Sequence, residues 1–539
     1  MQKSSKQPHK AATKQTAAPL KKKDSAFSLQ LLATKLPVLV IFFFLTWLWS
    51  GWYYGSVFYI SREYSYWVAD PRIMSFVLSQ PYGILRYIGR AILLLYKFPW
   101  LGGLVMALML TSGSWLTGYC LRLRGSWRTL QYLPSLFYMA VVTWNGLDIF
   151  FEARTGFIFG IPLLALIVLM VCALIIRSFS RKATPAFFAN PAGETPRQHC
   201  IQLLIILVVM AAVVGFDMWK RPYVRVICRL LDMEYRQDWS GIQKLARENS
   251  MMSNRPMACS YAIALVQTGQ IAERLYDIRL DYDSLHVHGM DWKHNNASVL
   301  YVPEGNYYGG FIESAQHACM EQMVMTGPTI RLLKLQIKCA LMREEWELAE
   351  KYLALLRRVP FEGAFVKKYE PMIHHLDKVN ADPEMALIRL TEPIHDSFEN
   401  QYQQPLFMGY NLLLVEGRSS QALTNSLSVC LYTKLMPQFI ERLEPIVGTT
   451  PSSIIMDGIL LAENKQPGLS QHFTGMNFRQ PQFQTFLRNV QPYMKDRAGY
   501  ANELFPKYKG YYPYYYFFGN LKATKKGYTS LSSSNSGVN

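Results

Sequence analysis

The sequence predicts an all-α protein: an N-terminal transmembrane helical bundle of about five spans, followed by a tetratricopeptide-like α-solenoid. Three observations carry this expectation. Half of the 539 residues are apolar and only 17% are charged, with a mean hydropathy of +0.04, which is oilier than a soluble chain of this size normally is. All the long apolar runs lie before residue 222. Beyond it the pattern changes to short amphipathic stretches broken by Gly, Pro and polar turns, with hardly any strand-like alternation.

The chain is several times longer than the ~150 residues of a usual domain, so more than one unit is expected. The units read as a basic tail (1–34), a transmembrane domain (35–221), a helical repeat domain (222–520) and a polar C-terminal tail (521–539). A net charge of +18 attracts anionic surfaces unless it is spread thinly, and here it is concentrated. Lys3, Lys6, Lys10, Lys14, Lys21, Lys22 and Lys23 precede the first apolar run, among residues too polar to form a core. Eight cysteines without a CxxC pair form neither a disulfide framework nor a zinc pattern.

Taken in order, the first span is Leu36 to Phe58. It closes with Trp47, Trp49, Trp52, Tyr53 and Tyr54, an interfacial aromatic belt rather than a signal-peptide cleavage site. Ser61 to Pro99 interleaves Arg86, Arg90 and Lys97 with Ile84, Ile88 and Ile92, as in a helix lying in the membrane interface. The further spans are Trp100 to Leu121, Leu133 to Ile149, Phe157 to Ile176 and Ile201 to Met218. The tail, the Arg122–Arg128 loop and the Arg177–Lys182 loop are the basic ones. Five spans put all three on one side, which makes the N-terminus cytoplasmic and residues 222–539 extracytoplasmic. A sixth span at Gly83 to Leu95 would reverse this, at a cost of ~2.5–3.5 kcal/mol for each buried arginine.

In the polar half, Val226 to Asn249 reads as a first helix pair. Ala315 and Ala349 are 34 positions apart, the tetratricopeptide period, and small residues suit the close crossing of paired helices. Trp346 should be largely buried against the preceding hairpin, and Pro360 ends that unit. Cys259 to Tyr276 and Tyr410 to Tyr432 fit as degenerate repeats, and the aromatic run Tyr508 to Phe518 as a packing cap for the last of them.

The basic anchor, the segments YKFPWLGGLVMALML, EGNYYGGFIESAQHACMEQ and LKLQIKCALMREEWELAEKYLALL, and the ending GYYPYYYFFGN resemble an uncharacterised family of Bacteroidota membrane proteins with a tetratricopeptide-like C-terminal half. The resemblance runs from about Pro37 to Asn520. It implies a multi-pass protein of the inner membrane of such bacteria and supplies no function.

Candidate sites are few. Phosphate-binding loops, HExxH, nucleophile elbows and kinase motifs are absent from the sequence, which lowers the expectation of an enzyme. Glu63 and Asp70 follow the first span, where membrane glycosyltransferases keep an acidic residue, although Asp70-Pro71 equally suits a helix start. His286, His288 and His294 offer imidazoles to a metal, yet an exposed inter-helix loop is the plainer reading. His374 and His375 point to different faces, surface and core. Asn145 and Asp148, near the end of the third span, suit an ion site and equally a solvated helix end. No cofactor and no nucleic acid are expected. Besides membrane lipids, the expected partner is a protein or peptide held by the repeat domain, as by an envelope scaffold. The alternatives are an enzyme of envelope glycan or lipid-linked sugar metabolism and a transport or secretion component.

Overall fold

The computed structural model describes residues 38–123, 125–150, 154–179, 196–252, 254–280, 300–392 and 419–519. Every regular element among these described residues is helical. The first apolar run forms α1 (Val38–Leu48), passes through a π-helical turn (Trp49–Tyr53) and bends by 57° into α2 (Gly55–Glu63). Two short helices, α3 (Pro71–Leu78) and α4 (Gly83–Leu93), lead to α5 (Pro99–Cys120). The π turn sets Gly51 against α5: a Cβ on Gly103 would stand 2.6 Å from the Gly51 Cα, and Ser50 Oγ donates to the Gly103 carbonyl at 3.0 Å. A π turn at such a contact is a usual cause of a helix bend.

Then come α6 (Leu133–Asn145), α7 (Arg154–Phe179) and α8 (Pro196–Lys220). Three helical stretches are long and apolar enough to cross a membrane: Pro99–Cys120, Thr155–Ile176 and Pro196–Lys220, or four if the bent α1–α2 pair is one span. They point to a membrane protein. Two of the five expected spans are not among these long straight helices. The Leu36–Phe58 run is bent, and the Leu133–Ile149 run is cut where Gly146 adopts φ +56°, leaving a helix of 13 residues and a 3₁₀ turn. Such a helix reaches only ~20 Å of the ~30 Å hydrocarbon layer.

The segment expected in the interface contains α4. Helix α4 packs lengthwise on α7, because Gly89 lets it approach: a Cβ there would lie 1.9 Å from the Gly156 carbonyl oxygen. Gly156 and Gly160 supply the small-residue spacing on α7. Ile84 and Ile88 face outward. Within α7, Pro162 has no N–H for the Ile158 carbonyl. The Tyr138 hydroxyl of α6 donates to that carbonyl instead.

Besides these, two groups of contacts lie at opposite ends of the helices. At one, Tyr53 Oη donates to Asp217 at 2.8 Å, Arg221 donates to the Trp144 carbonyl, and Tyr64 stacks on Phe150. At the other, Phe42 meets Tyr132, Gly118 meets Gln131, Cys120 meets the Leu169 carbonyl and Gly125 meets Gln198.

The polar half follows α8 after a break at Arg221. Four consecutive helix pairs are α9 (Pro222–Tyr235) with α10 (Trp239–Glu248), α11 (Arg255–Gln267) with α12 (Ile271–Arg274), α13 (Val302–Tyr308) with α14 (Ile312–Thr326), and α15 (Ile330–Met342) with α16 (Trp346–Arg357). Their turns share one geometry. Gln237, Gly269, Gly310 and Glu344 all have positive φ. The next N–H donates to the carbonyl five residues back: Asp238 to Met233, Gln270 to Leu265, Phe311 to Asn306 and Glu345 to Ala340, at 2.8–2.9 Å. This is the Schellman closure, which satisfies the last carbonyls of the first helix and turns the chain into the second. Gly310 and Glu344 are 34 positions apart, in step with Ala315 and Ala349, both fully buried. Trp346 is not: it is half-buried, because it opens α16 at the surface instead of facing the helix crossing.

Short helices α17 (Gly363–Tyr369), α18 (Leu376–Ala381) and α19 (Pro383–Arg389) follow, then α20 (Ser420–Thr433), α21 (Met436–Glu441), α22 (Ser453–Ala462), α23 (Arg479–Val490), α24 (Arg497–Tyr508) and α25 (Tyr512–Phe518). The α20–α21 turn repeats the closure at Lys434, with Leu435 donating to Cys430 at 2.9 Å. Helix α25 is the aromatic run. Its Tyr512 and Tyr515 hydroxyls donate to the Leu431 and Tyr432 carbonyls at 3.0 and 2.9 Å, and both rings pack on Tyr276. It thereby joins the second helix pair to α20.

Candidate functional site

The most chemically loaded place is a chamber of about 580 Å³ where α2 and Lys97, in the turn before α5, meet the helix pairs. Its position follows from local structure. Thr329 caps α15 by accepting from Leu332 N at 3.2 Å, and Ile330 N donates to the Ser65 carbonyl at 3.0 Å, so the start of α15 is pinned to the chain leaving α2. Arg331, Lys334 and Lys338 then fall at i, i+3 and i+7 on one face of α15, and that face lines the chamber.

Each of these cations meets a buried carboxylate from another element. Arg331 forks onto both oxygens of Glu304 on α13, donates to Gln322 at 3.2 Å and lies over the Tyr64 ring. Lys334 reaches Glu63 Oε2 at 3.0 Å and Glu362 Oε2 at 2.9 Å. Lys338 pairs with Glu384 on α19 at 2.7 Å. Arg62, with no exposed surface, binds both Glu63 and Glu362, and Lys97 stands 3.4 Å from Glu362. Burying these charges costs several kcal/mol per ion, which only dense pairing of this kind offsets.

Two groups in the wall are displaced from their usual protonation range. Burial, with Glu304 nearby, pushes the Glu234 carboxyl up to about 8, against the opposing hydrogen bond from Ser260 at 3.0 Å. Burial alone would lower the Lys338 ammonium, but Glu384 beside it holds it well above the lysine range.

The sequence candidates are scattered. Glu63 is in the chamber, but Arg62 and Lys334 engage both its oxygens, an environment for a fixed charge more than for a proton donor. Asp70 lies apart: it caps α3 by accepting from Arg72 N at 2.9 Å and pairs with Arg358, so the helix-start reading describes it. His286, His288 and His294 lie outside the described residues. His374 and His375 are both exposed, which corrects the surface-and-core expectation. Asn145 is half-buried, its amide donating to the Val141 carbonyl at 2.9 Å, whereas Asp148 is buried.

Trp346 lines a second feature, an open groove of about 990 Å³ between α14 and α16, with Met320, Tyr352, His317 and His374. The His374 ring lies 5.6 Å from that of Trp346. Sequence reasoning missed the chamber's basic residues. The i, i+3, i+7 spacing of Arg331, Lys334 and Lys338 was the available signal, while Arg62, Lys97, Glu304 and Glu362 carried none.

No curated protein and no solved structure matches the chain. A family model does, over residues 30–189 and 147–519, which together take in nearly the whole sequence. The protein belongs to the family of unknown function DUF6057.

Proposed function

We propose that this is a bacterial inner-membrane protein of five alternating segments whose helical domain, on the extracytoplasmic side, is a tetratricopeptide-like stack that binds a protein or peptide partner of the cell envelope. The two groups of contacts at opposite ends of the bundle support the topology. Segments α1, α5, α6, α7 and α8 run alternately between them, with the two short ones completed by their flanking turns. Arg122 and Arg128 follow α5, at the end where Gly118 meets Gln131, and in the sequence the Lys21–Lys23 run precedes α1 and the Arg177–Lys182 loop begins in the last turn of α7. Basic loops of this kind are retained in the cytoplasm. The repeated Schellman turns and the buried Ala315 and Ala349 support the stack.

One observation carries the binding role: Trp346, a residue that pattern alone assigns to the core, stands half-open in a groove between two successive pairs. Large aromatic side chains in such places are the usual energetic centres of protein interfaces. The test is a photo-crosslinking amino acid at Leu348 in the full chain in its native membrane. The expected result is a discrete adduct with one polypeptide, lost in Trp346→Ala and absent when the crosslinker is at Lys507. No adduct, or equal adducts from both positions, would sink the reading.

A further inference from the structure

The chamber holds an imbalance beyond the partner-binding role. At its membrane-facing corner three cations, Arg62, Lys97 and Lys334, share two carboxylates, Glu63 and Glu362. All four carboxylate oxygens are already taken: Glu63 by Arg62 and Lys334, and Glu362 by Arg62 on one oxygen and Lys334 on the other. Lys97 has only the oxygen that Arg62 occupies, at 3.4 Å. The flanking Arg236–Asp232 pair, 2.9 Å apart, adds one charge of each sign, so within this corner one positive charge is left over, next to carboxylates that are 1% exposed. Burial and the neighbouring Lys334 press the Lys97 ammonium below the usual lysine range.

Further polar groups are unspent there. Glu234 Oε1 and Tyr235 Oη, on residues lining the same chamber, and Arg62 Nε beside it have no hydrogen-bond partner among the described residues. Glu234 is 2% exposed. One wall residue is the exposed Phe361, whose ring lies 5.8 Å from that of Phe98; Phe98 and, following it in the chain, Trp100 and Leu101 at the start of α5 are exposed as well. A cationic corner that opens along aromatic residues at the head of an apolar helix fits a molecule with an anionic end and an oily one.

We propose that the chamber binds the phosphate group of an anionic membrane amphiphile, held by Lys97 and Lys334, with its apolar part against Phe98, Trp100 and Phe361. The phosphate supplies the charge that the cluster lacks. This rests on the membrane reading above but not on the groove at Trp346, so the two fail separately.

The test uses the full chain extracted in a neutral detergent, with thermal unfolding followed as phosphatidylglycerol, phosphatidylcholine or inorganic phosphate is added. Phosphatidylglycerol should raise the melting temperature saturably, by about 5 °C at a hundredfold excess over its dissociation constant, and the other two should do little. Lys97→Gln should lose this response while being at least as stable as the parent without lipid, because it leaves two cations on two carboxylates. Arg357→Gln, which removes a surface partner of Glu370, should keep the response. Equal effects of the two lipids, a full response in Lys97→Gln, or inorganic phosphate alone reproducing the shift would each overturn the proposal. Release of the protein from membranes by alkaline washing would instead sink the membrane reading.

Discussion

Lys334 Nζ lies 3.0 Å from Glu63 Oε2, so a residue on the first helix of the fourth pair grips the last residue of the bent apolar helix. The two are 271 positions apart, and the contact fixes how the polar half sits on the apolar one. Replacing Glu63 with Gln strands Arg62 and Lys334 on the remaining Glu362. Loss of one partner from a buried pair costs about 3–5 kcal/mol. Thermal unfolding of the full chain should show that loss, and Asp70→Asn, at a half-buried helix cap that asparagine also serves, should leave the melting temperature nearly unchanged. Equal effects of the two would mean that the chamber's pairing is not what holds the halves together.

The Glu234 carboxyl gives a pH dependence with a definite sign. Pushed up to about 8 in the folded state, it stands above the ordinary glutamate value of 4.5 that the unfolded chain has. Between these values the folded state keeps a proton that the unfolded chain gives up, so stability is fully present below about 4.5 and declines as pH rises towards 8. Glu234→Gln keeps the shape and cannot ionise. Melting temperatures from pH 5 to pH 8 should fall less in this variant than in the parent; parallel curves would show that another group sets the slope.

Tyr138→Phe should remove the donor that serves the Ile158 carbonyl, at about 1–3 kcal/mol for a buried polar group left unpaired. Pro162→Ala restores the helical N–H and should make the same Tyr138→Phe change nearly neutral. A double-mutant cycle on melting temperature measures the coupling. Additive effects would show that the hydroxyl is not replacing the missing backbone bond.

In the helix pairs, Ala349→Leu should overpack the α15–α16 crossing by about 1–3 kcal/mol, because Ala349 is fully buried. Trp346→Ala should cost less stability and act on binding. If Trp346→Ala is the more destabilising of the two, Trp346 is a core residue and the groove loses its main support.

Topology has its own check. Single cysteines at Lys22 and at Gly468 should be labelled from opposite sides of the membrane by an impermeant maleimide. Labelling of both from the same side would mean that one of the short segments, α1 or α6, does not cross.

The helical class, the apolar N-terminal half and the 34-residue spacing of Ala315 and Ala349 were legible in the sequence, because apolar length and helical periodicity are local properties of the chain. Tertiary structure decided the rest. Gly146 ends the 133–149 run and the Gly51–Gly103 contact accompanies the bend of the first, so hydropathy overcounts long helices. Three of the five hairpin turns use Gln237, Glu344 and Lys434 where glycine is the recognisable residue, so their shared closure is visible in hydrogen bonds and not in composition. The chamber was least legible of all. Glu63 stood out only as an acid after a span, and its meaning depends on Lys334 and Glu362, hundreds of positions away. A charge's role is set by what faces it when water is excluded, and that follows from packing alone.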